Sequence, residues 1–227
     1  MIRSWIVALP LCAALLQAAP ACAQSSTAAG YHLEAGVGVI WMGREAIGSR
    51  TATETTGTGG TASLFNTSSE LGGAAGFDSR IGVRLSRSLA AEAEASYLKP
   101  QLRVAISGDT EGAAAVTASE TIQQFTIGGN VRWMLPGRRW SPRLAPFLLA
   151  GGGYMRQLHD QATLLETGHF YQFGAGVETL LKARRRFPGR GVGARADVRA
   201  VVRAKGVAFD GGSKTSPAAG VSAFVRF

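Results

Sequence analysis

The sequence predicts an all-β fold: eight amphipathic strands closing into an antiparallel up-and-down barrel behind a cleavable leader. Three observations predict it. Apolar and polar residues alternate through eight separate runs with the period of two that belongs to a strand. Beyond the first two dozen residues no helical period persists, and no stretch has the roughly eighteen uninterrupted apolar residues of a membrane-spanning helix. The connections between runs are alternately long and polar, then short and basic, as hairpins at the two ends of a barrel would be.

The elements follow in chain order. The opening MIRSWIVALPLCAALLQAAPACAQ carries Arg3, an apolar run from Trp5 to Leu16, and Ala21-Cys22-Ala23, the small-residue pattern of a signal-peptidase site. Residues 1–23 are therefore expected to be a signal peptide and residues 24–227 the barrel domain. A membrane anchor is the rival reading, but the run is short and Pro10 interrupts it. Lipidation of Cys22 is a further alternative, against which Ala19 and Pro20 stand where lipoprotein signals carry Leu and a small residue. Cleavage after Ala23 would remove both cysteines of the chain, leaving no disulfide in an oxidising compartment.

The eight runs are Tyr31–Met42, Gly76–Ser86, Leu89–Leu98, Thr121–Leu135, Ala145–Arg156, His169–Leu181, Val192–Lys205 and Ala218–Phe227. Most exceed ordinary strands of about five or six residues and match the roughly 9–11 tilted residues that cross a bilayer. The long connections include Gly43–Ala75, Ser107–Glu120, Gln157–Gly168 and Gly206–Pro217. The first contains TETTGTGGTAS, a composition expected of a mobile loop. The short ones are Arg87-Ser88, Pro136–Leu144 and Lys182–Gly191, with Arg138, Arg139, Arg143, Arg184, Arg185, Arg186 and Arg190 in the latter two.

Face chemistry chooses between a soluble barrel, apolar inside, and a transmembrane barrel with the faces exchanged. The alternating polar positions are Glu34, Asp78, Arg80, Arg84, Glu92, Glu94, Arg132, Glu178, Arg195, Asp197, Arg199 and Arg203. Six acids meet six bases, and every base is arginine, whose planar fork suits carboxylates in a confined space. The bore of eight strands is just wide enough for side chains to fill, so a matched ionic network can plug it. A salt-bridged outer face is the alternative, at about 0–1 kcal/mol per pair.

The apolar face separates the two readings further. Its mid-strand members are small or aliphatic: Ala35, Val37, Val39, Ile81, Val83, Ala91, Ala93, Ala95, Val198 and Ala200. Its aromatics gather towards strand ends, with Tyr31, Trp133, Phe147 and Phe227 at the short-turn end and Trp41, Phe77, Tyr97, Phe125, Tyr171 and Phe173 at the long-loop end. Two aromatic girdles around an aliphatic band are what a lipid-facing wall wants. In GVGARADVRAVVRAK (Gly191–Lys205) the arginines are accordingly expected inside and the valines and alanines against lipid.

Together with the terminus Val221-Ser222-Ala223-Phe224-Val225-Arg226-Phe227, this pattern resembles the small outer-membrane β-barrels of Gram-negative bacteria, the OmpA/OmpX-like group. The segment Ala145-Pro146-Phe147-Leu148-Leu149-Ala150-Gly151-Gly152-Gly153-Tyr154 resembles a strand common there. The resemblance covers the whole mature chain. It implies periplasmic short turns, extracellular long loops, and an assembly signal at Val221, Ala223, Val225 and Phe227, with Ala219 in step, read by the barrel-assembly machinery. OmpA itself continues into a peptidoglycan-binding domain, whereas this sequence stops at Phe227, so cell-wall attachment is not implied.

Chemistry is sparse. His32, His159 and His169 are the only histidines. A lipid A-modifying barrel, a deacylase or an acyltransferase, is the enzymatic rival, with His159, Asp160, Glu166 and His169 near the third long connection and Ser107, Ser119 or Ser213 within possible approach. The deacylases of that group pair His and Ser two residues apart on a strand. Here the tripeptides are His32-Leu33-Glu34, His159-Asp160-Gln161 and His169-Phe170-Tyr171, and the match fails. No metal-ligand spacing, phosphate cradle or cofactor motif is present. A net charge of +9 invites a nucleic-acid reading, but the arginines divide between bore and turns instead of lining a stacking groove. The expectation is a non-enzymatic outer-membrane barrel with a structural or surface-interaction role. Its partners would be membrane lipid and lipopolysaccharide, with a host or surface ligand at the long loops. A narrow, porin-like pore is the third reading.

Overall fold

The structure is a computed structural model that describes residues 32–57, 59–135, 144–159, 165–182, 191–205 and 212–227. The expected signal peptide, Tyr31, Asp160 and the arginines of the two basic turns lie outside the described residues.

Among the described residues twelve strands form two sheets. In chain order they are β1 (His32–Met42), β2 (Glu45–Thr55), β3 (Thr61–Leu71), β4 (Ala74–Arg84), β5 (Leu89–Leu98), β6 (Gln101–Ser107), β7 (Val116–Thr121), β8 (Gln123–Met134), β9 (Leu144–Leu158), β10 (Leu165–Lys182), β11 (Gly191–Lys205) and β12 (Lys214–Arg226). Eight of them close into a barrel in the order β1-β12-β11-β10-β9-β8-β5-β4, and the remaining four make a sheet in the order β2-β3-β6-β7. Every barrel pairing is antiparallel, and β1 completes the circuit by pairing with β12 on one side and β4 on the other. Closure leaves the barrel no unpaired edge.

The alternation seen in the sequence becomes two faces. Along β11 the inward Arg195, Asp197 and Arg199 are buried, whereas the intervening Ala196, Val198 and Ala200 are exposed. Val198 is 63% exposed and its neighbour Arg199 only 4%. Val37, Ile81, Ile127, Val131 and Val221 repeat the exposed aliphatic position around the wall. Between β4 and β5 the chain reverses within four residues, where Ser86 Oγ accepts hydrogen bonds from the backbone N–H of Ser88 at 3.2 Å and of Leu89 at 3.0 Å.

The structure corrects the sequence reading at four places. Gly43–Ala75 is not a mobile loop: β2 and β3 are eleven residues each and pair from Glu45↔Leu71 to Thr55↔Thr61. The second long connection likewise holds β7, which pairs with β6. The third, Gln157–Gly168, is mostly strand, because β9 runs on to Leu158 and β10 starts at Leu165. That lengthening puts Phe173 level with Ala150 and Ala200, near mid-wall instead of in the loop-end girdle. Finally, Phe147 is not in the outer girdle. It is 1% exposed and points into the bore.

The hairpins miss detection because only one face of their sheet is apolar, and its anchors come from far apart in the chain. Ile47, Leu71, Leu102 and Ile122 form a buried cluster with Val104 packed against it. No single segment contributes enough of these to show a pattern on its own.

Candidate functional site

The bore is the most heavily built part of the molecule. It is organised in three tiers from the short-turn end to the loop end.

In the first tier Arg132 sits between three carboxylates: Nη2 is 2.5 Å from Glu34 Oε2, Nε 3.0 Å from Glu92 Oε1, and Nη1 2.8 Å from Glu178 Oε2. Arg84 Nη2 reaches Glu178 at 2.9 Å, and Arg226 Nε donates to Glu34 Oε1 at 2.8 Å. The Phe147 ring lies against this tier, its centroid 4.5 Å from Arg195 Cζ and 5.6 Å from Arg132 Cζ. An aromatic face supports guanidinium groups through its quadrupole, which is the physical reason an apolar ring belongs inside an ionic bore.

The second tier is centred on Asp197. Arg199 Nε approaches Asp197 Oδ2 at 2.5 Å and Arg195 Nε approaches Oδ1 at 3.2 Å. Arg199 also donates to Glu94 Oε1 at 2.6 Å and to Gln172 Oε1 at 3.1 Å. Asn130 donates to Glu94 Oε2 at 2.7 Å, and Gln172 in turn donates to Asn130. Arg80 pairs with Asp78 at 2.7 Å and donates to Ser222 Oγ at 3.2 Å. Arg195 links this tier to the first by gripping Glu92 at 2.8 and 3.0 Å. Arginine's planar fork can serve several acceptors at once, which lysine's point charge does less well.

The third tier is apolar. Ile40, Met42, Leu98, Met155, Phe170, Val201 and Ala218 pack across the bore. Gln157 donates to Gln124 within it at 2.9 Å. Above them Arg203 is ion-paired with Glu45, the first residue of β2, so the outer sheet is tied to the barrel by a buried charge pair. The Gly43 N–H donates to Pro217 O at 2.7 Å beside it.

Small cavities of about 20 Å³ lie within the bore, one lined by first- and second-tier residues and another between the second and third tiers. Each has room for about one water. The bore is plugged.

All twelve positions the sequence assigned to the interior line this bore, and eleven are buried, Arg84 being half-buried. Sequence reasoning missed two members. Arg226 was legible, since it shares parity with the inward Phe224 and Ser222. Glu45 was not, because it lies beyond the first run and joins Arg203 only through tertiary folding. With them, seven arginines (80, 84, 132, 195, 199, 203, 226) meet seven carboxylates (34, 45, 78, 92, 94, 178, 197) among the described residues. The network carries no net charge in its ionised form, so the chain's excess of +9 resides outside it.

An enclosed ionic network inside an aliphatic wall inverts the arrangement of a water-soluble protein. The fold is a closed antiparallel barrel of eight strands, ionic within and aliphatic on its outer wall.

Comparison with solved structures finds similar chains. Neisserial surface protein A, NspA, superposes with a TM-score of 0.47 at 16% identity, covering 88% of this chain and 98% of that one. Ail, the attachment invasion locus protein of Yersinia pestis, solved in complex with the heparin analogue sucrose octasulfate, gives 0.40 at 10% identity, covering 88% and 100%. The outer membrane protease OmpT of Escherichia coli gives 0.36 at 7% identity, covering 89% and 99%. No protein-family model and no curated protein sequence matches the chain.

The remaining candidate residues separate. Val221, Ala223, Val225 and Phe227 share the outward face of the last strand and its end, and the Phe227 N–H donates to Leu33 O at 2.8 Å. His159 stands where β9 ends, its Nδ1 3.0 Å from Glu120 Oε2 and its Nε2 4.0 Å from Glu166 Oε1. Carboxylates, rather than Ser107, Ser119 or Ser213, are the partners the structure brings to this ring. Glu166 and His169 lie on β10 itself, and His169 meets the Tyr154 ring edge-on with centroids 6.0 Å apart. Among the described residues no group of three or more His, Cys, Asp or Glu could hold a metal ion.

Proposed function

We propose that the protein is exported and resides in the outer membrane of a Gram-negative bacterium as a plugged barrel. In this reading it has a structural and surface-interaction role, its wall held by lipid and lipopolysaccharide and its outer sheet presented for contact. The single observation that carries the reading is the order of the faces, Val198 open at 63% beside Arg199 at 4%, repeated around a closed wall. In hydrocarbon every backbone polar group needs an internal partner, which closure supplies. The leader at residues 1–23 supplies the export route, and the outward Val221, Ala223, Val225 and Phe227 supply the signal for the assembly machinery. The sheet of β2, β3, β6 and β7 lies at the end opposite the β4–β5 turn, the end that in this reading faces the cell exterior.

Val198→Arg tests the reading. An outward arginine at mid-membrane costs about 2–4 kcal/mol, so its folding yield in lipid vesicles, read as heat-modifiable migration on a gel, drops far below that of Arg184→Ala in a turn. Equal yields, or a wild-type mature chain that stays monomeric and dissolved in plain buffer, would overturn it. The same vesicles show no single-channel steps if the network is a plug; regular steps would favour the narrow pore.

The catalytic reading rests on one feature, His159 poised between Glu120 and Glu166, an arrangement in which a carboxylate orients an imidazole. Release of fatty acid from lipid A by the folded protein, lost in His159→Gln, would bring it forward.

A further inference from the structure

A space larger than either bore cavity lies outside the bore. A cleft of about 570 Å³ opens on the outer sheet, with Ser49, Ser68, Ala105, Thr117 and Arg103 among its lining and Lys214, at the start of β12, completing it. Its size falls in the range of about 300–1,000 Å³ typical of small-ligand sites. The register explains its floor. Ser49 pairs with Ser68, Ser68 with Ala105 and Ala105 with Thr117, so one cross-strand row presents three hydroxyls and a methyl group. In the adjoining row Glu70 pairs with Arg103.

Three properties define what fits. Among the described residues no aromatic ring and no large aliphatic side chain lines the cleft, so an apolar or peptide side-chain anchor has nothing there to enter. Hydroxyls both donate and accept, which suits a ligand that does the same at several positions. The charge is positive on balance: Arg103 and Lys214 against Glu70. Arg103 Nη1 is 3.7 Å from Glu70 Oε1, and both side chains are nearly half exposed. Such a pair contributes little and leaves the guanidinium fork able to turn to a carboxylate. The floor is also held rigid from beneath. Ile47 and Ile122 are fully buried on the opposite side of the sheet, and the Arg203–Glu45 pair ties β2 to the barrel. Affinity gains when a site is pre-organised.

We infer that this cleft binds an acidic saccharide. The sugar's carboxylate lies against Arg103 and Lys214, and its hydroxyls lie over Ser49, Ser68 and Thr117. The inference rests on the reading that the outer sheet faces the cell exterior, and it gives that sheet a ligand class.

The test is a calorimetric titration of the folded full-length mature chain in detergent micelles at fixed ionic strength. Cellobiouronic acid, neutral cellobiose, tetra-aspartate and acetate serve as probes. The acidic disaccharide binds at least about tenfold tighter than each of the other three, the scale of one charge-assisted contact. Arg103→Gln and Lys214→Gln each weaken it by about the same factor, and Ser68→Trp, which fills the floor, abolishes it. All three variants keep heat-modifiable migration, because Arg103 and Ser68 lie on the outer sheet and Lys214 only begins β12. Equal binding of cellobiose, tetra-aspartate as good a ligand as the sugar acid, no binding by the folded protein, or indifference to the variants would each sink the inference. Failure of vesicle insertion would instead remove the outer-membrane reading while leaving the micelle titration interpretable.

Discussion

β9 and β11 are both fifteen residues long and flank β10 on either side, yet they furnish the bore in opposite ways. β11 sends in Arg195, Asp197, Arg199 and Arg203. β9 sends in Phe147, Leu149 and Met155, and between them Gly151 and Gly153, which have no side chain to send. The difference teaches that an eight-stranded bore cannot take long charged side chains from every strand. Where one side contributes guanidinium groups, the other must withdraw volume or offer a flat apolar surface. Gly151 approaches Asn130 and Gly153 approaches Ile127 and Gly128, while Phe147 supplies the ring against which Arg195 rests. Charge and volume are therefore matched across the bore, not along any one strand.

Three substitutions break or sharpen this comparison, in decreasing order of effect. Gly153→Leu does the most harm: even its Cβ would collide with the Ile127 carbonyl and Gly128 Cα. Backbone would have to move in the middle of a closed wall, so no heat-modifiable band forms, an effect beyond about 4 kcal/mol. A normal folded yield would show that β9 does not need its empty positions. Arg199→Met comes next, since it leaves Asp197 and Glu94 without their shortest partner. Removing one member of a buried ionic group costs about 3–5 kcal/mol, visible as a lower urea midpoint in vesicles. A loss under about 1 kcal/mol would mean the charges are solvated or rearrange freely. Phe147→Leu is the smallest, about 1–2 kcal/mol from a weakened cation–π contact and a reduced ring volume. In a double-mutant cycle with Arg195→Met its effect should shrink, because the two share a contact. Strict additivity would place the ring's role elsewhere.

The legibility of the two regions differs for the same reason. On β11 the period of two was enough, because from Arg195 to Ala200 each inward residue is polar and each outward one apolar. Parity alone then reads the face, and the same holds for Glu92 and Glu94 on β5. Over the first ten residues of β9, 144–153, both faces are apolar or glycine, so Phe147 carried no sign of its direction. The outer sheet was hidden differently. Its Thr-, Ser- and Gly-rich strands look like unstructured loop until Ile47, Leu71, Leu102 and Ile122 come together from separate hairpins. Glu45 shows the limit most clearly: nothing near it in the chain marks it as interior, and its partner Arg203 is 158 residues away.

The amino-acid sequence by itself determined the number of barrel strands, twelve of the fourteen inward charges and the aliphatic wall. These follow from local alternation, which needs only the strand period to be read. Only the tertiary structure decided how the bore is filled, which strand yields space to the arginines, and how two polar hairpins become a capped, cleft-bearing sheet. Those outcomes depend on volumes and charges meeting across the barrel, and residues that meet across a barrel leave no pattern along the chain.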